Sequence, residues 1–388
     1  MDINITDRIK YIGVDDIDID LFESQYKVPN GVSYNSYLIL DEKVAIMDTV
    51  DYRKHDEWLC KLDAALAGRT PDYLVVQHME PDHAGSIAEI VARYPDIKIV
   101  ATARAIQMLP QFFEDTDFTG NTIAVGEGDT LDLGTHTLQF FTAAMVHWPE
   151  VMVTYDHADK VLFSADGFGK FGALSHEEDW ACEARRYYFN ICGKYGGPVQ
   201  ALLKKAATLD IACICPLHGP ILKENLGYYI GLYDTWSKYD VETEGVLVAF
   251  ASIHGGTAVA AHRMAEILRA KGAAKVTVVD LSRDDMAEAV EDAFRMSHMV
   301  VAASSYDAGV FPPMHDFLHH LQIKSYQRRR VAIIENGSWA PCAGRVMREM
   351  LAQMKDVDVV EPIVTIRSRM KQADIPAMEA LADALLAK

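Results

Sequence analysis

The stretch that decides the fold of the first part of the chain is residues 73–83, which reads YLVVQHMEPDH. Residues 73–77 are mostly apolar, which predicts a short buried strand. The next six residues place four potential metal ligands on a loop at the end of that strand, where a turning backbone can present them to two separate ions. A solvated polar loop is the alternative for this stretch taken alone. The four ligand candidates are His78, Glu80, Asp82 and His83.

Three further residues stand where an apolar stretch gives way to a turn, which is where strands present functional groups. A single residue of this kind is more often structural. Three of them in order after residues 78–83 favour one shared metal site. They are His147, Asp166 and His218.

The first part of the chain mixes short strands, turns and helices. Residues 34–40 with 44–48, and residues 151–155 with 160–165, are predicted to form two hairpins. The polar segment 236–245 predicts a linker.

After residue 244 the pattern changes to regular alternation of strands and helices, which implies a parallel sheet covered on both faces. We therefore expect two domains, residues 1–243 and 244–388. The predicted strands of the second domain are 246–251, 276–280, 299–303, 331–335 and 357–364, with helices over 257–270, 284–294 and 344–354 and a closing helix.

Three loops at strand ends of the second domain suit a phosphate and a flat ring. Residues 252–257 read SIHGGT and open a helix, so backbone N–H groups and two hydroxyls face an anion. Tyr306 and Trp339 follow two further strands and can flank a ring. The alternatives are an ordinary capped turn, and aromatics that belong to the surface or core. The candidate binding residues are Ser252, Ile253, His254, Gly255, Gly256, Thr257, Ser304, Ser305, Tyr306, Asp307, Ala308, Gly309, Asn336, Gly337, Ser338 and Trp339.

Composition opposes several classes of protein. The formal net charge of −19 repels a phosphate backbone, so we expect no nucleic-acid partner. No run of 18 apolar residues occurs, so we expect no membrane span. The six cysteines include no C-x-x-C pair, which opposes a rubredoxin-type or zinc-ribbon centre, and Cys213 and Cys215 are expected in a core strand. Reduced thiols and the lack of an apolar leader predict a cytoplasmic location.

The order H-x-E-x-D-H, His, Asp and H-G-P resembles the flavodiiron protein family, a branch of the metallo-β-lactamase-fold superfamily. Hydrolases of that superfamily normally carry H-x-H-x-D-H, so Glu80 stands where they have the second histidine. A mixture of carboxylate and imidazole ligands suits iron, whereas imidazole-rich sites suit zinc. The resemblance implies that His78, Glu80 and His147 bind one iron, that Asp82, His83 and His218 bind a second, and that Asp166 bridges them.

The resemblance extends over essentially the whole chain, since the second domain is similar to short-chain flavodoxin. It implies an α/β protein with an N-terminal metallo-β-lactamase-like αββα sandwich and a C-terminal flavodoxin-like doubly wound parallel sheet that binds FMN. The chain departs from the family pattern at His254, where an aromatic is common, in the loop NGSWAP, and in lacking a histidine at residues 22–26. Tyr26 and Tyr34 are the candidate pocket residues.

The activity implied by the resemblance is reduction of dioxygen to water, of nitric oxide to nitrous oxide, or of both. FMN would pass electrons to an oxo- or hydroxo-bridged di-iron site. No rubredoxin or reductase segment follows residue 388 in this sequence, so we expect an external donor, either rubredoxin or a flavin reductase. The resemblance also implies a head-to-tail homodimer or a dimer of dimers.

Two other functions remain open. A zinc hydrolase with a fused flavodoxin-like regulatory module is opposed by Glu80. A non-catalytic electron carrier or oxidant sensor is opposed by the number of metal-binding side chains, because a carrier has no need of seven.

Overall fold

A computed structural model of the chain describes residue 3 and residues 5–387. The chain forms two compact units, Met1–Tyr188 with Gly197–Asp234, and Phe189–Gly196 with Thr235–Lys388. The division into domains 1–243 and 244–388 stays a prediction, because compactness alone does not define where domains fold independently. Residues 1, 2, 4 and 388 of those domains lie outside the described part of the chain.

The first unit consists mainly of short strands. Its strands are β1 (Ile9–Tyr11), β2 (Val14–Asp16), β3 (Leu21–Phe22), β4 (Tyr26–Lys27), β5 (Val32–Tyr34), β6 (Tyr37–Leu40), β7 (Val44–Met47), β8 (Tyr73–Val76), β9 (Lys98–Thr102), β10 (Thr122–Val125), β11 (Thr130–Asp132), β12 (Thr137–Thr142), β13 (Met152–Asp156), β14 (Val161–Phe163) and β15 (Cys213–Cys215).

Helices of this unit and its boundary connect the strands. They are α1 (His55–Leu66), α2 (Pro81–Ala84), α3 (Ile87–Arg93), α4 (Ala103–Phe112), α5 (Trp180–Ile191), α6 (Gly196–Ala206) and α7 (Leu226–Ser237), with 3-10 turns at Tyr52–Lys54 and Gly193–Tyr195.

Two sheets form the core of the first unit. One has the order β1-β6-β7-β8-β9-β10 and the other the order β11-β12-β13-β14-β15. Val75 and Val100 of the first sheet share one buried apolar cluster with Phe140 and Phe163 of the second, so the sheets pack face to face as a sandwich. Cys215 belongs to the same cluster, which confirms that β15 is a core strand.

Both predicted hairpins are present, but the first begins later than predicted. Strands β6 and β7 pair antiparallel, and so do β13 and β14. The prediction of one strand over residues 34–40 is wrong, because Tyr34 belongs to β5, which pairs with β2. The strand is interrupted at Asn35, whose side-chain amide donates to the carbonyls of Pro216 and Gly219, both at 2.8 Å. These two hydrogen bonds connect the segment between β5 and β6 to the turn that follows β15.

The second unit is built from longer strands that alternate with helices. Its strands are β16 (Thr243–Ala251), β17 (Val276–Asp280), β18 (Met296–Tyr306), β19 (Gly309–Val310), β20 (Arg330–Asn336), β21 (Asp358–Val359) and β22 (Val364–Ile366). Its helices are α8 (Gly256–Ala270), α9 (Met286–Arg295), α10 (Pro312–Ile323), α11 (Ala343–Leu351) and α12 (Ile375–Leu386), with a 3-10 turn at Gln372–Asp374.

The main sheet of the second unit is parallel, with the order β17-β16-β18-β20-β21. The connections from β16 therefore leave in opposite directions, and a crevice opens at the carboxyl ends of β16 and β18, where doubly wound sheets bind their ligands. Helix α10 was not predicted. Pro312 and Pro313 begin this helix, a position where proline costs no hydrogen bond.

The prediction of one strand over residues 357–364 is also wrong. Strands β21 and β22 replace it, and both pair with β20. Pro362 lies between them and has no N–H to donate to a ladder, so the intervening segment leaves the sheet. Among the described residues, no helix is long and apolar enough to cross a bilayer.

Arg329 links, through hydrogen bonds, the segment that precedes β16 to the main sheet of the second unit. The residue is 3% exposed, and its guanidinium donates to the carbonyls of Met296 (2.8 Å), Tyr239 (2.9 Å), Phe294 (2.6 Å) and Asp240 (3.1 Å). The planar fork of donors satisfies carbonyls that would otherwise be buried without a partner.

We expect Arg329→Met to lower the free energy of unfolding by about 3 kcal/mol, because it leaves buried carbonyls unpaired. Urea denaturation followed by far-ultraviolet circular dichroism checks this. Arg263→Met is the matched control, since the side chain of Arg263 is 41% exposed and pairs with Glu266 on the surface of α8. Equal losses in the two variants would contradict a special role for Arg329.

Candidate functional site

The topology of the first unit brings its candidate ligands to one place. Strands β12, β14 and β15 run in the same direction within the second sheet, so the residues after them meet at one edge. That edge carries His147, Asp166 and His218. His78 follows β8 of the first sheet, and the backbone N–H of Met152 donates to the carbonyl of Gln77 at 3.1 Å, which joins the two sheets there.

The first group of ligand atoms consists of His78, Glu80, His147 and one oxygen of Asp166. Glu80 Oε2 lies 3.2 Å from His78 Nε2 and 3.0 Å from His147 Nε2. Asp166 Oδ2 lies 3.4 Å from His78 Nε2 and 3.1 Å from His147 Nε2. The two histidine nitrogens are themselves only 3.3 Å apart.

The second group consists of Asp82, His83 and His218. Asp82 Oδ2 lies 3.3 Å from His83 Nε2 and 3.2 Å from His218 Nε2, and the two nitrogens are 3.1 Å apart. The other oxygen of Asp166, Oδ1, lies 3.2 Å from His83 Nε2 and 3.8 Å from His218 Nε2. The two oxygens of Asp166 therefore face different groups, which is the geometry of a bridging carboxylate.

These distances fit a shell of metal ligands better than a network of hydrogen bonds. Ligands about 2.1 Å from an ion stand about 3.0 to 3.4 Å from one another. Both carboxylate oxygens of Asp82 and of Asp166 are buried without a hydrogen bond of ordinary geometry. Buried groups left in this state are costly, so the arrangement calls for cations.

The electrostatics of the site also favour cations. Burial alone would lower the pKa of His147, but ion pairs with Asp166 and Glu80 outweigh it and raise the pKa to about 9. Burial alone would raise the pKa of Asp166, but His78, His147 and His83 hold that pKa well below its usual range. The carboxylate of Asp166 is thus a strongly anionic group in a buried pocket.

Glu150 supports the first group from behind, and the sequence patterns did not single it out. Its Oε1 lies 2.8 Å from His78 Nδ1 and accepts a hydrogen bond from the N–H of Met79 at 3.0 Å. A carboxylate behind a metal-binding histidine fixes the tautomer and makes the ring a stronger ligand. His218 is held differently, since its Nδ1 lies 2.7 Å from the carbonyl of Ser33.

Asp48 organises the start of the ligand loop and was also missed. It is buried at φ +54° and accepts hydrogen bonds from the backbone N–H of Gln77 (2.7 Å) and from its side-chain amide (2.9 Å). Burial raises the pKa of Asp48 to about 6 despite these bonds. The sequence signal was an aspartate that directly follows a buried strand.

The predicted pocket tyrosines lie in different surroundings. The ring of Tyr34 is 6.1 Å from that of His218, whereas Tyr26 packs against Phe171 at 6.0 Å. Burial raises the pKa of both phenols. Glu23 lies near the ligand candidate Glu80, which sequence reasoning did not suggest. Desolvation and the Glu80 carboxylate together raise the pKa of Glu23 to about 7.

A third group of possible ligands has a structural explanation. His136 Nδ1 lies 3.1 Å from Asp156 Oδ1. Asp156 also accepts hydrogen bonds from the backbone N–H groups of Ala158 and Asp159, so its carboxylate orders the turn between β13 and β14.

In the second unit, the crevice at the carboxyl ends of β16 and β18 holds a cavity of about 950 Å³. Fourteen of the sixteen predicted binding residues line it, and Gly255 and Gly309 do not. Sequence reasoning missed five lining residues, which come from the ends of the NGSWAP loop, from α11 and from the loop after β22. They are Ala340, Cys342, Arg345, Ser368 and Arg369.

One end of this cavity has the features of a phosphate site. Ser252 Oγ accepts a hydrogen bond from the N–H of Gly255 at 3.1 Å, and Gly255 adopts φ +84° at the N-terminus of α8. Thr257 Oγ1 lies 2.8 Å from Ser304 Oγ. A methyl group on Gly256 would lie 2.3 Å from the carbonyl oxygen of Ser368, so only glycine lets these loops approach.

Comparisons with known proteins agree with the fold. Residues 32–219 match the family described as "ODP family beta lactamase". An anaerobic nitric oxide reductase flavorubredoxin of Escherichia coli is 28% identical over 88% of this chain and 73% of its own length. An uncharacterised protein of Methanocaldococcus jannaschii is 28% identical over 96% of this chain and 95% of its own length.

Two solved structures share the fold of the whole chain. Rubredoxin oxygen:oxidoreductase from Desulfovibrio gigas superposes with a TM-score of 0.92 at 24% identity, covering 99% of this chain and 98% of that one. The flavodiiron protein of Giardia intestinalis gives a TM-score of 0.91 at 23% identity, covering 99% and 96%. The predicted fold class, a metallo-β-lactamase-like sandwich with an α/β second part, is confirmed.

The fold and the relatives define the chain as an oxidoreductase built on the metallo-β-lactamase fold. More narrowly, these relatives confirm the predicted resemblance to the flavodiiron protein family.

We expect Glu150→Gln to weaken metal binding about 10-fold to 100-fold, because it removes the charge behind His78 but keeps the shape of the side chain. Competition with a chromogenic chelator measures the affinity. Glu114→Gln is the control, since Glu114 is exposed in the same unit. An unchanged affinity in Glu150→Gln would contradict the role given to the carboxylate.

We expect Gly256→Ala to weaken FMN binding by about tenfold or more, because its methyl group collides with the backbone of Ser368. Quenching of flavin fluorescence on binding measures the effect. Gly197→Ala is the control, since no atom lies within 4 Å of an added methyl group there. Equal FMN affinities in the two variants would show that the close approach has no part in binding.

Proposed function

We propose that the chain is an FMN- and di-iron-dependent reductase that converts dioxygen to water, nitric oxide to nitrous oxide, or both. His78, Glu80 and His147 would hold one iron, and Asp82, His83 and His218 the other. Asp166 would bind both. The observation that supports this best is the position of the two Asp166 oxygens, of which Oδ2 lies 3.1 Å from His147 Nε2 in the first group and Oδ1 lies 3.2 Å from His83 Nε2 in the second.

Two adjacent irons held by these residues would supply electrons at one place, which suits reactions that need an even number of electrons. Reducing one dioxygen to two waters takes four electrons and four protons. Reducing two nitric oxide molecules to nitrous oxide and water takes two of each. The protein's part is to hold the ions at a fixed spacing and keep the site largely dry, since His78, His83 and His218 are fully or almost fully buried.

FMN would bind in the cavity of the second unit with its phosphate at the N-terminus of α8. Backbone N–H groups at the helix N-terminus and the hydroxyls of Ser252 and Thr257 would face the phosphate. Tyr306 and Trp339 line the same cavity and would flank the ring. When bound, FMN accepts electrons singly or in pairs and so matches a one-electron donor to the metal site.

The electron donor would be a separate protein, a rubredoxin or a flavin reductase. Among the relatives, one is a rubredoxin oxygen:oxidoreductase and another a flavorubredoxin. We also propose a head-to-tail homodimer or a dimer of dimers, in which the flavin of one subunit serves the irons of its partner. Sedimentation of the metal-loaded protein tests this, and a fully active monomer would contradict it.

The proposed function predicts about two irons and one FMN per chain in protein purified without oxygen. Asp166→Asn should bring the iron content below about one per chain, since both positions lose a ligand. Asp117→Asn is the control, because Asp117 lies in an exposed turn. Elemental analysis and the visible spectrum give the contents, and electrodes for oxygen and nitric oxide give the activity. Two zincs with thioester or lactam hydrolysis would favour a hydrolase instead.

A further inference from the structure

Lys170 is a buried lysine beside the turns that carry Asp166 and His218. It is 4% exposed and lies four positions after Asp166, in the turn that follows β14. Burying an ammonium group is costly unless the group is paired and hydrogen-bonded. The surrounding structure must therefore supply partners for Lys170, and those partners show which parts of the site it joins.

The ammonium group of Lys170 has partners on more than one segment. Its Nζ donates to the carbonyl of Phe171 at 2.9 Å and lies 3.3 Å from Glu178 Oε2. The other carboxylate oxygen of Glu178 accepts a hydrogen bond from the side-chain amide of Asn30. Through Glu178, Lys170 thus connects the turn that carries Asp166 to the segment that precedes β5.

Backbone hydrogen bonds join the same two segments. The N–H of Gly172 donates to the carbonyl of Gly31 at 3.1 Å, and the N–H of Ala173 donates to the carbonyl of Asn30 at 2.9 Å. Gly172 has φ +94°, and a methyl group on it would stand 2.4 Å from Glu178 Oε2. The ion pair is therefore packed tightly against this junction.

The segment held by this junction leads into the strand that orients His218. The carbonyl of Ser33 in β5 lies 2.7 Å from His218 Nδ1, and the hydroxyl of Ser33 accepts a hydrogen bond from the N–H of Gly219 at 2.7 Å. The first contact fixes the tautomer that leaves His218 Nε2 free for a metal, and the second fixes the turn that carries the ring. Both contacts depend on where β5 lies.

The aliphatic part of Lys170 contacts the turn after His218 directly. Gly219 has φ +76°, and a methyl group on it would stand 2.7 Å from Lys170 Cγ. The N–H of Leu217 donates to the carbonyl of Ala165 at 2.8 Å, which joins the same two turns through the backbone. Lys170 therefore contacts the turn of His218 with its aliphatic chain and holds the neighbouring strand with its charge.

We propose that Lys170 is a positioning residue for the second group of ligands and acts by fixing His218 relative to Asp166. The proposal rests on the proposed function, because it assumes that these ligands bind an ion together. Ligands from turns that are separate in sequence bind one ion tightly only when supporting residues keep them at a fixed spacing. The first group has its own support in Glu150, so Lys170 should affect one ion of the pair.

A general contribution to stability is the alternative role for this buried ion pair. Removing one partner of such a pair leaves a buried charge unpaired and destabilises the fold. The two roles predict different results. Lost stability loosens both ions alike, whereas lost positioning loosens the one that His218 binds, because His218 belongs to only one of the two groups.

The test uses the full chain loaded with ferrous iron in the absence of oxygen. Lys170→Met removes the ammonium group and keeps an unbranched side chain against Gly219. Lys170→Met with Glu178→Gln removes both charges, so this variant can fold even where the single variant does not. Lys43→Met is the matched control, because Lys43 pairs with Asp72 at 3.0 Å on the surface of the same unit.

The measurement is the release of iron to a chromogenic ferrous chelator, followed by absorbance. We expect both Lys170 variants to release one iron per chain about tenfold faster than the wild type, and the other iron at a rate within about threefold of the wild type. Lys43→Met should match the wild type for both irons. Adding Glu150→Gln to Lys170→Met should accelerate the release of both, since Glu150 supports the other group.

Equal acceleration of both irons would overturn the proposal and give Lys170 a role in stability alone, which urea denaturation of the same variants measures independently. Release at the wild-type rate from both Lys170 variants would also overturn it, while two irons bound per chain would leave the proposed function intact. A wild-type chain that binds fewer than two irons would contradict the proposed function, and this inference with it.

Discussion

The candidate site of the first unit depends on one buried carboxylate whose two oxygens point in different directions. Asp166 stands after a core strand, and its two oxygens point to two different sets of ligands. The five-stranded sheet makes this possible, because three strands that run in the same direction deliver His147, Asp166 and His218 to a single edge. The ligand loop after β8 then completes both sets from the facing sheet. Packing of the two sheets is therefore what sets the spacing of the two ligand sets.

The second unit is constrained by a close approach between the backbones of two of its loops. The loops after β16, β18, β20 and β22 meet at the carboxyl edge of the sheet, and Gly256 and Ser368 come too close for any side chain on the first. The strand order creates the crevice, and the small residues keep it open. Arg329 fixes the opposite end of this sheet through carbonyls alone, so the edge that carries the loops is supported by a rigid base.

Much of this could be predicted from the sequence, for physical reasons that differ between parts. The βα pattern after residue 244 is regular, and the boundaries of β16, β17 and β20 lie close to the predicted ones. The ligand candidates were found because histidines and carboxylates at strand ends are chemically distinctive. Glu150 and Asp48 were not predicted, because a carboxylate that supports a ligand has no sequence pattern of its own. It can be recognised only when the ligand that it contacts is known. Helix α10 and the division of the last strand into β21 and β22 were also not predicted. Proline indicates an interruption of regular structure, but the residue alone does not show whether an element begins or ends there.

The way the imidazole rings are held differs between the two metal positions. His78 has a carboxylate behind it, His218 has a backbone carbonyl, and the buried Nδ1 of His83 has no hydrogen-bond partner among the described residues. A carboxylate behind an imidazole makes the ring a stronger ligand than a carbonyl does, so His78 is the most basic of these three ligands. The two ligand sets are therefore chemically different before any ion or substrate binds.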